Sequence, residues 1–134
     1  MNSKKMIKVI MSMIGLDGHT TGAEIVARIL RNAGIEVVYL GVNQTAEMIL
    51  QAAIQEDVDA IGISSHASNY SQIKDLVELL RKENMHNIPV ICGGNIPKHM
   101  IKKLKGYGVA EVFLPGSTGG EIVDYIIYIS SDMI

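Results

Sequence analysis

The run Asp17-Gly18-His19-Thr20-Thr21-Gly22 sets a carboxylate two residues from an imidazole, where an apolar stretch gives way to a helical pattern. A carboxylate so placed can hydrogen-bond one ring nitrogen, fix the tautomer and leave the other nitrogen free to ligate a metal. Asp17 and His19 are therefore a candidate ligand pair. The rival reading is an ordinary solvated loop, because a lone Asp-x-His is a common pattern. Gly18 and Gly22 allow the backbone to pass close to a flat ligand, although a plain strand-to-helix turn would use the same glycines.

Other residue groups suit the same kind of ligand. Gly93-Gly94 removes side chains at the end of a strand and leaves a slot in which a planar group can lie against backbone; a tight turn would also explain the pair. Ser64 can donate to a buried ring nitrogen or cap its own loop. Pro115, Gly116, Ser117 and Thr118 bring backbone and hydroxyl donors to the start of a helix, where a phosphate or amide could be held. Helix capping is the competing use of Ser117 and Thr118.

Five strand-helix alternations must position these groups. Apolar runs at 7–14, 36–40, 60–64, 88–92 and 111–114 are short, rich in Val and Ile, and bounded by turn residues. Helical periodicity fills the intervals. Ala23, Val26, Ala27, Leu30 and Ala33 share a face; Thr45 caps a helix with Met48, Ile49, Ala52 and Ala53 inward; Ile73, Leu76, Val77 and Leu80 form a third stripe. A fourth helix spans 97–105 and a fifth 119–129, with Gly34 and Gly106 as stops.

Near-continuously apolar strands require a parallel sheet covered on both faces, so a flavodoxin-like (βα)5 fold of strand order 2-1-3-4-5 is expected, with 1–134 as one domain and 1–6 as a loose N-terminus. In that topology ligands bind beyond the carboxyl ends of the strands, at the switch point between strands 1 and 3. The loops at 17–22, 64–69, 92–97 and 115–120 all follow strand ends, so they converge on one edge.

Composition narrows the class. The chain has 134 residues, 48% of them hydrophobic, and a net charge of -2, with no Lys/Arg stripe, one Phe and no Trp, which gives nothing for nucleic acid to bind. The single cysteine, Cys92, excludes an internal disulfide and reads as a small buried filler. Lys4 and Lys5 ahead of an apolar run imitate a secretory signal faintly, but Lys8 interrupts the run and no cleavage site follows. A soluble cytoplasmic protein with no membrane span is expected.

Taken together, Gly15-Leu16-Asp17-Gly18-His19-x-x-Gly22, Ile63-Ser64-Ser65, Gly93-Gly94-x-Ile96-Pro97 and Phe113-x-Pro115-Gly116 resemble the cobalamin-binding domain of the carbon-skeleton mutases. The likeness runs from about residue 8 to about residue 127, and it is strongest to the small domain or subunit of acyl-CoA mutases of the methylmalonyl and isobutyryl types. The resemblance implies adenosylcobalamin bound with its own benzimidazole base displaced. His19 would be the lower axial cobalt ligand and Asp17 its hydrogen-bond partner. The displaced nucleotide tail would pass Ser64, Gly93 and Gly94. The motif neighbours Gly18, Thr20, Thr21 and Gly22, together with His66 and residues 115–118, complete the implied contacts.

The resemblance also implies an isomerase subunit, inactive until a larger chain with the substrate barrel covers the upper face of the cofactor, and able to form a homodimer when alone. The chain departs from the family pattern at Met13, where a lysine usually extends the Asp-His relay, at His66, usually leucine, and at Asn69-Tyr70, usually Gly-His. Two other readings stand beside this one. Gly93-Gly94-Asn95-Ile96 resembles the corresponding loop of the glutamate mutase small subunit, and Asp17, His19 and His66 could instead form a metal or signalling module without a corrin.

Overall fold

A computed structural model describes residues 6–15, 20–66 and 69–130. Five strands alternate with five helices: β1 Lys8–Ser12, α1 Thr21–Asn32, β2 Glu36–Gly41, α2 Ala46–Glu56, β3 Ala60–His66, α3 Tyr70–Lys82, β4 Val90–Asn95, α4 Lys98–Tyr107, β5 Glu111–Phe113 and α5 Gly119–Ser130. All pairings are parallel and the order is β2-β1-β3-β4-β5, the flavodoxin-like arrangement expected from the sequence.

Alternation along each strand divides the core. Ile10, Ile61, Ile63, Val90, Cys92 and Val112 face α2, α3 and α4 and belong to one buried cluster. Val9, Met11, Ala60 and Ile91 face α1 and α5 in a second cluster. The first face is thick with branched side chains, each of which contributes roughly 1.5–3 kcal/mol when fully buried. The second is thin over the middle of the sheet, because β3 presents Ala60, Gly62 and Ser64 there.

The helices follow their apolar stripes. α1 buries Ala23, Ala27 and Leu30, and α3 buries Ile73, Leu76, Val77 and Leu80. Thr45 caps α2 as expected, its hydroxyl accepting from the Met48 N–H at 3.1 Å. Met48 itself points outward, 51% exposed, since Ala46, Ile49, Leu50 and Ala53 occupy the inward positions. Gly106 does not stop α4. The helix continues to Tyr107 and ends at Gly108, whose φ of 114° and crowding against Val77 leave no room for a Cβ.

Two strands run further than their apolar segments. β3 continues through Ser64, Ser65 and His66, paired in register with Gly93, Gly94 and Asn95 of β4, so these are strand residues and not loop residues. β1, between β2 and β3, stops at Ser12. The β3–β4 pair thus overhangs the carboxyl edge of the sheet beside the start of the segment that carries Asp17 and His19.

Candidate functional site

Between the sheet and the α1/α5 layer lies a mostly apolar slot of about 220 Å³. Its floor is Ala60, Gly62 and Ser64 of β3 with Gly93 of β4; its roof is Gly22, Ala23 and Val26 of α1; Phe113 and Ile122 close the far side. From Ala60 to Ser64 the floor extends about 13 Å at ~3.3 Å per residue. The mouth, at the carboxyl edge, is bordered by Gly94, Pro115, Gly116 and Ser117.

Missing side chains create this space. A Cβ on Gly22 would meet nothing within 4 Å, and one on Gly93 would come 3.6 Å from the Phe113 carbonyl oxygen. Gly94 is different: with φ of 113° and the Ser65 carbonyl packed against its α-carbon, it accepts no side chain at all. Ser64 is buried and supplies a hydroxyl to an otherwise apolar floor.

Seven of the residues singled out from sequence therefore meet around one cavity: Gly22, Ser64, Gly93, Gly94, Pro115, Gly116 and Ser117. Thr118 does something else. Its hydroxyl accepts from the Glu121 N–H at 3.1 Å while its own N–H donates to the Glu121 carboxylate at 2.7 Å, a reciprocal cap that commits both groups to α5. Thr20 precedes α1 as its cap residue and Thr21 opens the helix, both outside the slot lining. Asp17, Gly18, His19 and the His66 side chain lie outside the described residues.

The flanks of the motif segment are well defined. The Met13 N–H donates to the Gly41 carbonyl at 3.0 Å, and the Gly15 N–H to the Gln44 carbonyl at 2.8 Å. Met13 is fully buried in the α1-side core, so an apolar side chain fills the place of the family's usual relay lysine. Sequence reasoning did not foresee Gly62 or the polar bridge formed by Ser65 and Asn69. Strict alternation from Ser64 through Gly62 to Ala60 is the signal that would have found the floor.

Burial pushes the Cys92 thiol up to about 12, which keeps it protonated and inert. Among the described residues no group of three or more His, Cys, Asp or Glu could hold a metal ion, and no helix is long and apolar enough to cross a membrane. The slot suits a flat heterocycle carried on a thin polar tail: its walls are apolar, its floor is glycine, alanine and one hydroxyl, and its mouth opens at the glycine-rich loop after β5. On those grounds the residues present fit the nucleotide end of a corrinoid.

A five-stranded parallel sheet in this order, with a slot at its carboxyl edge, defines a flavodoxin-like α/β domain. Residues 7–123 match the model of the B12 binding domain. The chain is 40% identical to the pivalyl-CoA mutase small subunit of Xanthobacter autotrophicus over 120 residues, 90% of this chain and 81% of that one. It is 36% identical to the 2-hydroxyisobutanoyl-CoA mutase small subunit of Aquincola tertiaricarbonis over 121 residues, 90% and 89% of the two chains. A cobalamin-binding protein from Desulfitobacterium hafniense DCB-2 shares the fold with a TM-score of 0.82 at 18% identity, covering 93% of this chain and 60% of that one. The chain belongs to the B12-binding domain family, on the branch of the acyl-CoA mutase small subunits.

Proposed function

We propose that this chain holds adenosylcobalamin, base displaced, for a larger substrate-binding subunit that rearranges the carbon skeleton of an acyl-CoA in the cytoplasm. The slot carries this reading, because a domain that folded for its own sake would fill the face over Gly62 and Ser64 with branched side chains. His19 would supply an imidazole nitrogen to the cobalt, and the Asp17 carboxylate would hold the second ring nitrogen so that the first stays available. Ser64 offers a hydrogen bond to the displaced base, while Gly22, Gly93 and Gly94 let it lie against backbone. Gly116 and Ser117 border the mouth, where they would meet the polar part of the tail. The chemistry that the cofactor supplies when bound is generation of a carbon-centred radical; the chain contributes ligation, orientation and exclusion of water.

Both relatives carry the words small subunit in their names, which supports a division of labour with a larger chain. The test is electron paramagnetic resonance of the cob(II)alamin complex, with histidine labelled by nitrogen-15. Coupling to a histidine nitrogen that vanishes in His19→Ala is expected. Coupling to benzimidazole nitrogen in the wild type would overturn the reading.

A further inference from the structure

Asn69 stands at the cap position of α3, where an asparagine ordinarily turns its side chain back onto the first N–H groups of the helix. Here it makes no capping bond. Its amide instead bridges the end of β3 and the segment that follows β1: the carbonyl accepts from the Ser65 hydroxyl at 2.7 Å, and the NH2 donates to the Ile14 carbonyl at 2.5 Å. Ser65 and Asn69 are 0% and 5% exposed, so both bonds are shielded from water. The next residue, Gly15, is gripped as well. Its N–H is held by Gln44, its φ is 72°, and the Gln72 carboxamide occupies the position that a Cβ would take.

Ile14 and Gly15 are the last described residues before Asp17 and His19. We infer that Asn69, braced by Ser65, is a positioning residue for the axial ligand. It fixes the point from which the motif segment leaves β1 and ties that segment to the turn between β3 and α3. This rests on the proposed role of His19. A relinquished cap and two buried bonds, one of them to a residue 55 positions away in the chain, are poorly explained by stability of α3 alone, because a capping asparagine would have served that purpose.

The test uses the full-length chain and cob(II)alamin. Asn69→Asp keeps size and the acceptor for Ser65 but removes the donor to Ile14; Asn69→Ala removes both. Each is expected to bind about tenfold more weakly, the scale of loss when a residue that orients a ligand is removed. Each is also expected to give a resonance spectrum in which part of the cobalt lacks histidine coupling, while far-ultraviolet circular dichroism is unchanged. Should both variants fail to fold, Ser65→Ala, which leaves the bond to Ile14, is expected to weaken binding several-fold. Variants that lower the melting temperature yet keep wild-type affinity and full histidine coupling would overturn the inference and leave the proposed function standing. A wild type without histidine coupling would instead remove the proposed function, and the positioning role with it.

Discussion

Gly22 faces open slot from the first turn of α1, so a side chain there costs the fold nothing and obstructs the ligand. Gly22→Ala should raise stability by up to about 0.5–1 kcal/mol, the usual gain from replacing a helical glycine. Gly22→Leu should cut cobalamin affinity at least about tenfold with no loss of melting temperature, because its added carbons occupy ligand space and lose nothing native. Thermal melts and cobalamin titrations of the pair check both statements. Asp17→Asn should lower cobalamin affinity by about 10 to 100-fold without unfolding, read by the same titration. Cys92, fully buried and pushed up to about 12, should resist a thiol-specific disulfide reagent at neutral pH until denaturant is added. At this scale the grouping of Gly22, Gly93, Gly94, Gly116 and Ser64 around one slot was legible in the sequence, since spacing after a strand is a local property. Nothing in the sequence hinted at what Asn69 would do: the partner is Ile14, 55 residues away, and only the folded sheet brings them together.

Elements were legible where periodicity was strong. Short apolar runs bounded by turn residues marked every strand, and the apolar stripes marked α1 and α3, so the order of the sheet followed. The carboxyl ends of β3 and β4 were not legible, because Ser, Gly and Asn have weak strand preference and are held extended by each other through the Ser64-Gly93 and Ser65-Gly94 register. The sequence reads Gly106 as the stop of α4, but the helix ends at Gly108. Packing against Val77, a residue of α3, decided for Gly108. Thr118 offers an element-scale test. Thr118→Ala removes the hydroxyl half of the reciprocal cap of α5 and should cost about 1 kcal/mol, seen in denaturant unfolding. Its effect on cobalamin affinity should be small, because both its donor and its acceptor already serve the helix.

For the whole molecule, a slot under α1 and α5 means that ligand binding and folding are linked. Cobalamin at 100 times its dissociation constant should add about 2.7 kcal/mol to stability. For a domain of this size that corresponds to a rise of roughly 8–12 °C in melting temperature. A thermal shift measured against cobalamin concentration checks it, and His19→Ala should reduce the rise in proportion to lost affinity.

The two faces of the sheet also set how this chain can change over generations. Branched side chains on the α2, α3 and α4 side keep the domain folded, while glycine, alanine and serine on the α1 and α5 side shape the slot. Neighbouring residues on a strand thus do different work, Ile61 and Ile63 filling the core and Gly62 and Ser64 shaping the slot. Drift on the first face is limited by volume and on the second by shape. A descendant could be fitted to an altered tail by substitutions at alternate positions of one strand, leaving the framework that folds it untouched.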